Sequence, residues 1–282
     1  KYRVVKFGEA LAWTGIWFAM AMLFALIIAP AVVKDWQLTQ TVEFVTGYVI
    51  ELSLSMDNVF VIALIFAHFA VPDRYQHRVL FWGILGALLM RGLMIWLGVE
   101  LIHKFEWLLV ALGVFLVVSG LKMLFTKEKK SDPEKNFAVR LTRKLFPVAR
   151  EFDGQKFFTR LNGRNMLTPL MLVLVLVETT DLIFALDSIP AIFAVTTNPF
   201  IVFTSNVFAI LGLRSLYFVL AGAIQYFRHL KIGLSVVLVF IGFKMVIVKY
   251  LEIPTPLSLG VVVVIIATSI MASVISTRRE QG

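Results

Sequence analysis

The sequence predicts an all-α polytopic membrane protein built from two three-helix repeats of opposite orientation, with a peripheral span at each end. Three observations point there. The 282 residues are 59% hydrophobic and only 16% charged, with a mean hydropathy of +0.87. Continuous apolar runs of roughly 20 residues recur, each long enough to cross a ~30 Å hydrocarbon core at ~1.5 Å rise per residue. The polar residues inside those runs return in a fixed order, as a duplication would leave them. The runs are continuous rather than alternating, which argues against a β-barrel.

Eight spans are expected, near 9–33, 41–70, 78–101, 105–126, 167–197, 200–226, 230–250 and 257–276. The first, within an N-terminal peripheral segment 1–36, is too long for the apolar region of a signal peptide and reads as an anchor. The chain begins at Lys1 without a Met, so a further N-terminal piece is expected upstream. Residues 37–126 form the first repeat, 127–166 a polar loop, 167–252 the second repeat and 253–282 a C-terminal peripheral span.

The duplication is carried by residues that a span ordinarily lacks. The first unit reads Glu51-x5-Asp57-Asn58, then Arg91 within "MRGLMIW", then "GLKM" from Gly120. The second reads Asp181-x5-Asp187-Ser188, then Arg214 within "LRSLYFV", then "GFKM" from Gly242. Three spans per unit is an odd number, so the second copy enters from the opposite face. Inverted repeats of this kind place binding sites near the midplane, at the repeat interface.

The opening spans of both units are long, about 45 Å if straight and helical. On an intact helix, positions i and i+6 point ~120° apart, so Glu51 and Asp57, or Asp181 and Asp187, would not converge on one ion. Tilt would absorb the extra length, whereas convergence on one ion needs a break, for which Pro190 serves in the second unit and Ser53, Ser55 and Asn58 in the first.

A lone ionised group at mid-bilayer costs about 2.5–3.5 kcal/mol on insertion scales. Glu51, Asp57, Glu178, Asp181 and Asp187 are thus untenable unless paired, protonated or metal-bound. Arg91 and Arg214 can balance some of them and leave a surplus of acid. That surplus suits a divalent cation, with Asn58 and Ser188 as neutral donors. The donors are oxygens; there is no Cys, and no His lies mid-span. This disfavours Zn²⁺, Cu⁺ and Ni²⁺ and leaves Mn²⁺, Mg²⁺ or Ca²⁺. Met56 is a possible soft ligand that would favour Mn²⁺, against the plainer reading of packing. His68, His77, His103 and His229 fall near span ends and read as surface or interface residues.

The formal net charge of +9 is a topology signal rather than a nucleic-acid footprint. One set of connections holds Lys1, Arg3, Lys6, Arg74, Arg78, Arg228, Lys231, Arg278, Arg279 and the cations of 127–166. The opposite set holds Lys34, Lys104 and Lys249. The basic side is cytoplasmic by the positive-inside rule, which puts both visible termini there. Within the loop, Phe137, Leu141, Leu145 and Val148 recur at helical spacing opposite Arg140, Arg143 and Lys144, giving a short amphipathic helix suited to anionic lipid or a simple linker. Asn162-Gly163 is a hairpin signal. No phosphate-cradling or nucleophile motif occurs, so neither an ATP-driven pump nor a hydrolase is expected.

The stretches "TGYVIELSLSMDNVFV", "VPDRYQHRVLFWGILGALLMRGLMI", "TPLMLVLVLVETTDLIFALDSIPAIF" and "LVFIGFKMVIV" resemble the TerC family of bacterial membrane proteins, over roughly residues 40–275. The family's acidic motifs match here at Glu51, Asp57 with Asn58, Glu178, Asp181 and Asp187. Many members carry names from tellurium resistance, and the resemblance implies one more span upstream of the eight visible here. The resemblance implies Mn²⁺ export, as in members of the Alx type, from the bacterial plasma (inner) membrane. The expectation is therefore a non-enzymatic Mn²⁺ efflux transporter with the bilayer as its medium, in which proton entry drives export. The alternative is a membrane organiser for secretion or stress proteins, or a homo-oligomeric scaffold, in which the acids are structural.

Overall fold

The computed structural model describes residues 7–125, 136–161, 163–221, 230–248 and 250–281. Ten α-helices follow in order among them: α1 (Phe7–Leu23), α2 (Ala29–Val32), α3 (Leu38–His68), α4 (Asp73–Lys104), α5 (Trp107–Phe125), α6 (Phe137–Leu145), α7 (Pro169–Phe193), α8 (Pro199–Ala221), α9 (Leu230–Ile247) and α10 (Thr255–Gln281). A hairpin of β1 (Phe158–Leu161) and β2 (Arg164–Leu167) lies between α6 and α7. Seven helices are long and apolar enough to cross a membrane, the first running from α1 through α2. The eighth expected span is the 18-residue α9. Lys1, Arg3, Lys6, Arg228, His229, Lys249, Asn162 and residues 126–135 lie outside the described part.

The turn between α1 and α2 shows how one residue shapes a span. Pro30 has no N–H, and the preceding Phe24–Ile28 widens into a π-helix. In that register the Ala25 carbonyl faces the missing N–H of Pro30. The Thr41 hydroxyl donates to Ala25 O at 3.1 Å instead, and itself accepts from Trp36 Nε1 at 2.8 Å. Helix α3 then starts in a capping box between Gln37 and Gln40.

Neither expected helix break occurs. Helix α3 runs unbroken for 31 residues, and its small polar side chains bond within it rather than interrupting it: Ser53 Oγ to Val49 O, and Ser55 Oγ to Glu51 Oε1 at 3.4 Å. Helix α7 passes through Pro190, which falls in its final turn, so the helix ends within three residues of it. It ends at Phe193, short of the expected residue 197.

The two three-helix units interlock. Helix α5 packs along α9, α3 on α8, α4 on α7, α3 on α7 and α4 on α8. Exchanging α3, α4 and α5 for α7, α8 and α9 returns this same set. Helices α3 and α7 run antiparallel, since the late residues Val59, Ile62 and Phe66 of α3 share an apolar cluster with the early residues Leu170 and Val173 of α7. Helix α1 rests on α8, and α10 on α9 and α3. Large side chains facing outwards are apolar, among them Leu89, Trp96, Trp107 and Val264, as lipid-facing surfaces require.

Glycines set the α5–α9 contact. A Cβ on Gly120 would lie 2.8 Å from Ser235 O and Val239 Cγ2, and one on Gly242 would lie 2.6 Å from Gly113 O and 2.8 Å from Val117 N. Gly113 and Val117 stand in α5 where Ser235 and Val239 stand in α9, by the offset that relates Gly120 to Gly242. The contact is thus self-complementary, and small residues let the two backbones touch. Gly242→Ala is expected to force them apart and to cost about 1–3 kcal/mol in reversible denaturation in micelles. The control Gly260→Ala, on α10 with nothing within 4 Å, is expected to be neutral or slightly stabilising.

Candidate functional site

Arg91, midway along α4, is 2% exposed and lies between the two units. Its Nε and Nη2 donate to Asp181 Oδ2 at 3.1 Å and Oδ1 at 2.8 Å, a fork that matches the carboxylate of α7. Its Nη1 pairs with Glu51 of α3, fully buried, and lies 3.4 Å from both Ser188 Oγ and Asn206 Oδ1. Asn58 Nδ2 donates to Asp181 Oδ1 at 2.8 Å. Four helices thus meet at one guanidinium. Apolar clusters flank this centre from both ends of the bundle, so the charges sit in a low-dielectric interior where each interaction counts for more than in water.

The cluster is incompletely satisfied. Glu51 Oε2, Asn58 Oδ1, Glu178 Oε2 and Asn206 Nδ2 are buried without a hydrogen-bond partner among the described residues. Two of these oxygens, on Glu51 and Asn58, belong to groups that touch the Arg91–Asp181 pair. Buried polar atoms are nearly always paired in folded proteins, so orphans gathered at one place mark a position for another species.

Glu178 lies near enough to feel the charge of Asp181 and packs against α4, where Gly86 makes room: a Cβ there would collide with its carboxylate. The other expected site residues lie apart. Asp187 is half-buried, bonds the Ser119 side chain and lies near the charge of Lys122 on α5. Asp57 is half-buried, and Met56 packs against the apolar cluster of Val59 and Ile62. Arg214, expected beside the acids, is exposed, with Nη2 3.0 Å from His77 Nδ1. Among the described residues no three Asp, Glu or His side chains come together to hold a metal. The expected single shell of Glu51, Asp57, Asn58, Glu178, Asp181, Asp187 and Ser188 is therefore divided. The reason is geometric: with α3 and α7 unbroken, residues six apart face different neighbours.

Asn206 of α8 completes the ring around Arg91. Lys244 is buried, close to the charge of Glu43, whose side chain bonds Thr196, a pairing outside the residues singled out in the sequence. Glu43 could have been found, because it too lies inside an apolar run.

Removing Arg91 leaves two buried carboxylates uncompensated. Arg91→Gln is expected to lower stability by about 3–5 kcal/mol in micellar denaturation. Arg91→Lys restores little, because an ammonium cannot reproduce the fork on Asp181. The double variant Arg91→Gln with Glu51→Gln regains part of the loss, the coupling expected of a shared network.

The profile described as "Integral membrane protein TerC family" matches residues 36–281. An "Uncharacterized membrane protein STKORF319" of Myxococcus xanthus is 50% identical over 278 residues, covering 99% of this chain and 86% of that protein. The "Putative membrane-bound redox modulator Alx" of Escherichia coli K12 is 46% identical over 284 residues, 97% of this chain and 87% of that protein. An "Uncharacterized membrane protein" of Rickettsia bellii is 41% identical over 275 residues, covering 98% and 90%. No solved structure matches. The chain belongs to the TerC family of integral membrane proteins.

Proposed function

We propose that the protein exports a divalent cation, Mn²⁺ in the first instance, across a bacterial plasma membrane. The observation that carries this reading is the meeting of Glu51 and Asp181, from the antiparallel opening helices of two equivalent units, at one buried cation with unpaired oxygens beside them. Arg91 then acts as a tethered stand-in for the transported ion. When Arg91 withdraws, Glu51, Asp181, Asn58 and Ser188 offer hard oxygen donors of the kind Mn²⁺ takes. When the ion leaves, Arg91 returns and the carboxylates stay neutralised. Such an exchange keeps bare acids out of the low-dielectric interior in either state.

Glu178, with its orphaned oxygen, is the candidate proton carrier, and Asp57 and Asp187 serve as stations on either side of the centre. Proton entry would lower the affinity of the acids for metal and so drive release. The symmetric packing of the units supports an inverted repeat in the membrane, and the basic end that holds α6 and the hairpin is taken as cytoplasmic. The redox activity in the names of some relatives would need chemistry other than a dithiol couple within these residues, which contain no cysteine.

One observation favours a second reading, a membrane scaffold with structural acids: among the described residues no three acidic side chains meet to hold a metal. Metal separates the two. A ligand held only by the native state stabilises it by about 2.7 kcal/mol at a hundred times its dissociation constant. Millimolar Mn²⁺ is expected to raise the melting temperature of the purified protein, and Glu51→Gln and Asp181→Asn are each expected to abolish the rise relative to their own metal-free baselines. Mn²⁺ flux into vesicles should disappear in the same variants and respond to an imposed pH gradient. A wild-type protein indifferent to Mn²⁺ would favour the scaffold.

A further inference from the structure

Helix α6 has two opposed faces, and among the described residues only one of them is covered by protein. Asn136 caps it, with Oδ1 accepting from Ala138 N at 2.8 Å. Val139, fully buried, docks it into the cluster of Tyr75, Leu170 and Val173, at the first turns of α4 and α7. Those turns open two of the membrane-spanning helices, so α6 lies level with the membrane edge. At ~100° per residue, Phe137, Leu141 and Leu145 fall within one ~80° arc on the side away from Val139. They are 77%, 42% and 63% exposed. Arg140 and Lys144 border that arc, and α6 carries no acidic residue. Phe146 and Phe158 are exposed nearby, and two cations of the same end, Arg74 and Arg78, lie over the rings of Tyr75 and Phe157.

We propose that α6 is an interfacial anchor for anionic phospholipid: Phe137, Leu141 and Leu145 enter the boundary between headgroups and acyl chains, while Arg140 and Lys144 hold the phosphates. Three features choose this occupant over water or another protein. The face is apolar and flanked by cations, the pattern of helices that lie in a membrane surface. Its height in the fold is set by Val139 at the ends of spans, where lipid headgroups are the adjacent medium. The charge is of one sign, complementary to an anionic leaflet, where each Lys or Arg near the surface contributes about 1 kcal/mol, or roughly fivefold.

The chain has no cysteine, so a single introduced thiol reports one position. Leu141→Cys, carrying a nitroxide in the full chain, is placed in vesicles of phosphatidylcholine alone or with phosphatidylglycerol. The ratio of collision rates with oxygen and with a water-soluble nickel chelate reads immersion. That ratio is expected to rise roughly threefold when phosphatidylglycerol is included, as the face sinks into the boundary. Adding Arg140→Gln and Lys144→Gln, both exposed positions, is expected to remove the dependence on phosphatidylglycerol. Soluble glycerol phosphate is expected to leave the ratio unchanged. A nitroxide equally open to the nickel chelate with and without phosphatidylglycerol would overturn the proposal. So would one shielded from both reagents and cross-linking to a second copy, which would make the face a protein interface.

Discussion

One guanidinium holds the centre of this molecule. Arg91 reaches from α4 to carboxylates on α3 and α7, and its neighbours include an amide from α8. A charged group costs far more in a bilayer than on a soluble surface, so none of these residues is tolerable alone. Each is there because the others are, and every one of the four helices must arrive in register for the set to be neutralised. The apolar clusters then pack around an electrostatic constraint. This reverses the order usual in a soluble domain, where burial of apolar surface leads and polar groups adapt.

The packing is symmetric and the charges are not. The α5–α9 contact is the same read from either helix, with glycines facing equivalent positions across it. Yet Arg91 is buried while Arg214 is exposed, and Lys244 is buried while Lys122 is exposed. Corresponding cations of the two halves thus stand in unlike surroundings. Under the transport reading we propose, the packing would permit exchange between two forms and the charges would favour one form at a time, with Arg91 engaged in the form described.

Much of this was legible in the residues. Span lengths and apolar continuity foretold the helices, and the packing of α3, α4 and α5 on α7, α8 and α9 is consistent with the two units read from the order acid, acid, Arg, Gly-x-Lys-Met. The sequence also pointed to Glu51, Asp181 and Arg91, because charges in lipid have few bland explanations. Helix continuity was misread. Ser53, Ser55 and Pro190 looked like breakers, but two of them bond back to their own helix and the third falls in a last turn. That misreading carried over to the site, since an expected break was what let Asp57 join Glu51. The burial of Lys244 was invisible for a different reason: it depends on Glu43 and Thr196, far away in sequence, and tertiary neighbours leave no local signature.

Anomalous scattering at the manganese edge from the protein soaked in Mn²⁺ tests the central claim most directly. The account predicts a single strong peak between the carboxylates of Glu51 and Asp181, with the Arg91 side chain swung clear of both. Arg91 still forked on Asp181 in saturating Mn²⁺, with manganese absent from the interior, would contradict it.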